Sequence, residues 1–107
     1  MTDIVFILTT VPYDERAELF ARTLIEEGIA ACANLHGPMT SVYRWKGSIE
    51  SDRELQLVIK TTRDRVPAVE ALLRELHTYE LPEFLVIEVA EGSPAYLAWV
   101  REQTRSG

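Results

Sequence analysis

Apolar residues recur along this chain with two different periods, and the switches between them mark six elements and a trailing seventh. Asp3 to Val11 (DIVFILTTV) is β-branched and apolar almost throughout and stops at Pro12, as a strand does. Ala17, Phe20, Ala21, Leu24 and Ile25 then follow at helical spacing with charged residues between them. Asp14 is the expected N-cap of that helix and Gly28 its expected C-terminal stop. Ile29 to Leu35 predicts a second strand, interrupted at Gly37-Pro38 and resumed from Thr40 to Trp45. Lys46-Gly47 has the composition of a hairpin turn, since glycine readily takes the positive φ such turns require. A third strand then runs to Thr61, with Leu55, Leu57 and Ile59 alternating with Gln56, Val58 and Lys60.

Val66, Val69, Leu73 and Leu76 form the stripe of a second helix, with Asp64 as its expected cap and Pro67 in its first turn. That helix is predicted to end near His77, before Pro82. Phe84 to Ala90 (FLVIEVA) predicts a fourth strand, and Ser93-Pro94 opens a short C-terminal helix carrying Tyr96, Leu97 and Val100. The order β-α-β-β-α-β plus a helix is the α+β, ferredoxin-like split βαβ pattern over one domain, residues 1–107. Right-handed crossovers place both main helices on one face of a four-stranded antiparallel sheet. A sheet covered on one face should alternate apolar and polar positions. Here Ile4, Phe6 and Leu8 share one face of the first strand while Val5 and Ile7 take the other, and the fourth strand is two-faced in the same way. An apolar outer face with no helix layer over it predicts a subunit interface.

The rest of the composition narrows the function classes. Hydrophobic residues at 47% and charged residues at 26% are those of a globular domain rather than a disordered chain. The formal charge of −6, with Lys46 and Lys60 as the lysines and the arginines scattered, argues against a nucleic-acid partner. No apolar run approaches the ~20 residues of a membrane helix, and no secretory signal is expected from the first residues. The single cysteine, Cys32, forms no internal disulfide and suits a reducing, cytoplasmic setting.

Candidate chemistry concentrates in His77-Thr78-Tyr79-Glu80-Leu81-Pro82-Glu83, an imidazole, a phenol and two carboxylates between the second helix and the last strand. Such a segment can bind a cation or a small polar ligand, or simply complete the helix end, where a histidine is favoured by the dipole. Cys32 and His36 lie about 13 Å apart on an extended strand and do not share a metal ion without a sharp bend. CxxC, HxH and HExxH spacings are absent, as are glycine-rich phosphate loops. No Ser or Cys nucleophile has a visible base partner. Tyr43, Trp45, Tyr96 and Trp99 cluster in the hairpin and the last helix, and suit core packing or protein contacts.

Taken in order, Ala31-Cys32-Ala33-Asn34, Ser41-Val42-Tyr43-Arg44-Trp45-Lys46-Gly47, Ile59-Lys60-Thr61, His77 to Glu83 and Tyr96-Leu97-Ala98-Trp99 give a resemblance. Along nearly its whole length the chain resembles the CutA family of divalent-cation tolerance proteins. The resemblance implies a cytoplasmic, very stable homotrimer of ferredoxin-like subunits, similar in architecture to PII signalling proteins. It further implies a hairpin that exchanges edge contacts between subunits, a link with copper and other divalent metals, no required cofactor and no catalytic reaction. Copper-binding relatives carry a Cys in the first strand and a His pair before the tyrosine; here Thr9 and Leu76-His77 stand at those positions, so only His77 matches. Thr78 stands where the family usually has Pro.

Two function classes are therefore expected. One is a metal-response protein with a weak, pH-dependent Cu(II) site at His77, completed by Glu80 and Glu83 and lost as imidazole protonates near its reference pKa of about 6.5. The other is a PII-like or scaffold module with no direct metal role, whose subunit-boundary clefts hold a small anionic or polar ligand through Lys60 as its cation, with Tyr79, Glu80 and Glu83. Tyr43, Trp45 and Trp99 are the expected interface residues. An acylphosphatase-type enzyme shares the split βαβ design but needs an Arg-bearing phosphate cradle, which Thr9 to Tyr13 does not supply.

Overall fold

A computed structural model describes residues 2–104. The strands β1 (Ile4–Pro12), β2 (Cys32–Trp45), β3 (Ser48–Thr62) and β4 (Leu85–Glu88) form one sheet in the order β2-β3-β1-β4, with every neighbouring pair antiparallel. Helices α1 (Arg16–Glu26) and α2 (Val66–Leu76) follow β1 and β3, and α3 (Pro94–Gln103) closes the described chain. This is the ferredoxin-like α+β arrangement that the period switches predict.

Cross-strand register fixes which side chains share a face. Ile7 opposes Ile59 and Val86, and Ile59 also opposes Ala33. With Val5, Val11 and Leu57, the residues Ile7, Ile59 and Ala33 form an inner face that packs under Phe20 and Leu24 of α1 and Val69 and Leu73 of α2. Burying each such side chain contributes roughly 1.5–3 kcal/mol, so this layer supplies most of the drive to fold. The outer face carries Ile4, Phe6 and Leu8 of β1, Leu85 and Ile87 of β4, and Glu54, Gln56, Val58 and Lys60 of β3, as their register requires. It is not wholly bare, as the absence of a further helix layer suggests. Helix α3 lies across one end, where Val100 and Leu97 bury Ile4, and the Thr104 hydroxyl meets that of Thr62 at 3.5 Å.

The boundaries depart from expectation for local reasons. Strand β4 is four residues long rather than Phe84 to Ala90; at its start the Glu83 carbonyl accepts the Thr9 hydroxyl at 2.6 Å and Phe84 packs onto the inner core, and past its end the Val89 N–H still donates to the Ile4 carbonyl at 3.1 Å. Asp14 precedes the N-cap position yet still accepts the Arg16 backbone N–H at 2.9 Å. Asp64 does not cap α2; it sits in a 3-10 turn over Arg63–Arg65 and accepts the Thr62 hydroxyl instead. β2 begins at Cys32 rather than Ile29.

β2 and β3 run on past the four-stranded sheet. β1 pairs with β3 only from Glu54 to Thr62, so Met39–Trp45 and Ser48–Arg53 form a two-stranded arm. The arm closes through Lys46 and Gly47, with φ of 50° and 84°, the two positive values that a two-residue type I′ turn needs. At its base the ladder shifts register between His36 and Met39. Gly37 there has φ +146°, and a Cβ on it would lie 2.9 Å from Leu55 Cδ2 and 3.0 Å from the Glu54 carbonyl, so only glycine fits without displacement.

Candidate functional site

Where the arm leaves the sheet, the outer face opens into a cleft of about 610 Å³, within the usual range for small-molecule sites. Strand β3 contributes Glu54 and Gln56, the arm contributes Tyr43 and Trp45, and the loop after α2 contributes Tyr79, Glu80 and Glu83. Three anchors hold that loop over the sheet. The His77 imidazole lies 2.7 Å from the Thr10 carbonyl, the Thr9 hydroxyl donates to the Glu83 carbonyl at 2.6 Å, and the Gln56 amide donates to a Glu83 carboxylate oxygen at 3.1 Å.

Glu54 is the centre of this arrangement. It is 6% exposed, and the Tyr79 hydroxyl donates to its Oε2 at 2.6 Å. Burial first, and then this bond to a carboxylate, push the Tyr79 phenol well above the ordinary tyrosine range, so it stays a donor throughout physiological pH. On the arm, the Tyr43 hydroxyl donates to Asp52, and that bond is the main reason its phenol is pushed up to about 12. Lys46 at the turn reaches across to Glu80 at 3.2 Å, an exposed pair worth at most about 1 kcal/mol.

The structure groups some of the sequence-predicted residues and separates others. Tyr79, Glu80 and Glu83 share the cleft with Tyr43 and Trp45. Lys60 lies apart within the subunit. It stands opposite Phe6 and Cys32 with its ammonium 5.6 Å from the Phe6 ring, four residues or roughly 13 Å along β3 from Gln56. Trp99 is on α3, stacked at 5.5 Å on Tyr96. Cys32 is half-buried, its thiol 3.8 Å from the Asn34 side chain.

His77 is placed as a strut rather than as a ligand awaiting a metal. A carbonyl only accepts, so Nε2 carries the proton it donates to Thr10, and Nδ1 faces the Tyr79 N–H at 3.4 Å. Both ring nitrogens are thereby engaged. Among the described residues no three His, Cys, Asp or Glu side chains gather as a metal-holding group. The donor set does not fit a preformed copper centre within one chain. His77→Ala is accordingly expected to lower stability by about 1 kcal/mol through the lost bond, while leaving a Cu(II) titration unchanged. Thermal melts and calorimetry on both proteins check this.

Glu54 and Gln56 escape a reading that looks for clustered functional residues, yet a signal for them exists. The alternation on β3 places both on the face that β1 makes apolar, and polar residues on a face expected to be covered call for a purpose.

The geometry can be set beside known proteins. The protein-family model for the CutA1 divalent ion tolerance protein matches residues 5–103. The divalent-cation tolerance protein CutA of Thermus thermophilus is 43% identical over 98 residues, 92% of this chain and 95% of that one. The crystal structure of CutA from Xylella fastidiosa superposes with a TM-score of 0.92 at 38% identity, covering 97% of this chain and all of the other. The PII-like protein CutA from Nostoc sp. PCC 7120 does so with a TM-score of 0.87 at 39% identity, covering 96% of this chain and 99% of the other. Fold and sequence agree, and the chain belongs to the CutA1 family of divalent ion tolerance proteins.

Proposed function

We propose that this protein acts as a homotrimeric, non-catalytic binding module of the divalent-cation tolerance response, with the cleft at the base of the arm as its ligand site. The observation that carries the reading is the unsupported arm together with the open outer face. A two-stranded ribbon alone is marginal in water, and this one exposes Val42 and Ile49 at 69% and 70%. Leu85 and Ile87 of β4 are 54% and 47% exposed beside Phe6 and Leu8. An arm docked on the next copy's sheet, repeated around a threefold axis, covers both at once and leaves no open edge. Tyr43, Trp45 and Trp99 stand at or near these surfaces and supply aromatic contact area.

In this reading the domain spans the whole chain and works in the cytoplasm, where the lone thiol of Cys32 stays reduced. Among the described residues no helix is long and apolar enough to cross a membrane. Copper tolerance then follows from what the module binds and reports, with copper held weakly if at all, since the donors do not converge. The cleft holds carboxylates and phenols but no nucleophile paired with a base, which supports binding over catalysis. Native mass spectrometry of protein purified without added metal tests this. The expected species is a trimer without stoichiometric copper; a monomer, or copper retained one per chain, overturns the reading.

A further inference from the structure

What the cleft would bind follows from which of its polar groups are already spent, and the inference rests on the reading above that the cleft is a ligand site. Its phenol and amide donors are committed inward. The Tyr79 hydroxyl donates to Glu54, the Tyr43 hydroxyl to Asp52, and the Gln56 amide to both the Thr9 carbonyl and the Glu83 carboxylate, each at 3.1 Å. Its acceptors are in excess. Glu54 is almost wholly buried, yet among the described residues only one of its carboxylate oxygens has a partner. Among the described residues no fully buried side-chain polar atom is left unpaired, so the other oxygen keeps some solvent access, and Glu54 lines the cleft. Glu83 adds a second carboxylate, Glu80 is already paired with Lys46 at the rim, and no Lys or Arg lines the walls among the described residues.

Such a site favours positive charge and hydrogen-bond donors. A bare metal ion supplies the charge but no donors, and the carboxylates do not gather closely enough to coordinate one. At about 610 Å³ the space suits a molecule of several carbons. Trp45 and Tyr43 offer aromatic surface to methylenes, the Trp45 ring already carrying the Lys46 ammonium at 5.6 Å. We propose that the cleft takes a small organic cation, an alkyl diamine or a guanidinium-bearing amine, with N–H groups on Glu54 and Glu83 and its carbon chain against Trp45.

Calorimetry on the intact protein with putrescine, spermidine and agmatine tests the proposal, with light scattering on the same sample. Saturable binding of one amine per chain is expected, weakened by about 150 mM salt as charge pairing requires. Glu54→Gln keeps an acceptor for Tyr79 but loses the charge, and should weaken binding at least about tenfold with the assembly mass unchanged. Tyr43→Ala should weaken it less. An assembled protein that binds none of the three amines overturns the proposal, as does equal binding by Glu54→Gln. A crystal structure with a neighbouring copy's Arg or Lys side chain filling the cleft also overturns it. A monomeric sample instead overturns the trimeric reading on which it rests, so the two failures are distinguishable.

Discussion

Ile87→Glu is expected to convert the assembly to monomer while leaving the subunit folded. Ile87 lies on the outer face of β4, 47% exposed in a single chain, so a carboxylate there costs the isolated subunit little. Covered by another copy, the same carboxylate would be a buried, unpaired charge, at about 3–5 kcal/mol for each interface. With the penalty repeated at every subunit boundary, a trimer at micromolar concentration should dissociate. Sedimentation velocity reads the mass and circular dichroism the fold. Leu19→Glu is the control: Leu19 is 61% exposed on α1, on the helical side of the subunit, and its substitution should leave the mass unchanged. If both variants sediment alike, β4 is not at the interface.

Tyr79→Phe is expected to destabilise the subunit by roughly 1.5–3 kcal/mol, the scale of a hydrogen bond to a charged group, because it leaves the buried Glu54 carboxylate without its protein donor. The pH dependence gives the variant a signature that simple loss of packing lacks. The folded-state phenol titrates above the unfolded one, so its stabilisation is fully present below the unfolded tyrosine pKa of about 10 and fades as pH rises beyond it. Native protein should therefore lose stability on the alkaline side, and Tyr79→Phe should start lower and lose less there. Tyr43, pushed up to about 12 by Asp52, adds to the alkaline loss in both proteins, and Tyr43→Phe separates the two contributions. Urea midpoints at neutral pH and above pH 10 supply the comparison. An alkaline slope unchanged in Tyr79→Phe would place that loss elsewhere.

Period alone made the elements legible, because each of β1, α1, β3 and α2 buries one face against the same core and its apolar spacing records that fact. Contacts made at long range left no such record. The Glu83 carbonyl before β4 is held by a Thr9 hydroxyl 74 residues away, and the role of His77 depends on a Thr10 carbonyl 67 residues away. Neither partner is marked by its neighbours in sequence, so an imidazole that looks free to bind a metal is instead committed at both nitrogens. The lateral placement of α3 over Ile4 was equally hidden, since a helical period shows which face is apolar but not which end of a sheet receives it. Within the site, the loop residues Tyr79, Glu80 and Glu83 stood out as a cluster. Glu54 and Gln56 did not, because each is a single polar residue in an alternating strand, and only the pairing of β3 with β1 shows that their face is the one left open.

The central claim is that the outer face of the sheet is covered by further copies of the chain. Hydroxyl-radical footprinting at micromolar protein concentration tests it most directly, since it reads side-chain access residue by residue. Leu85 and Ile87 are 54% and 47% exposed in one subunit, much like Leu19 at 61%. The account predicts that Leu85 and Ile87 are protected while Leu19 is oxidised readily, and that Ile87→Glu restores reactivity at Leu85. Equal oxidation of Leu85, Ile87 and Leu19 in the native protein would contradict it.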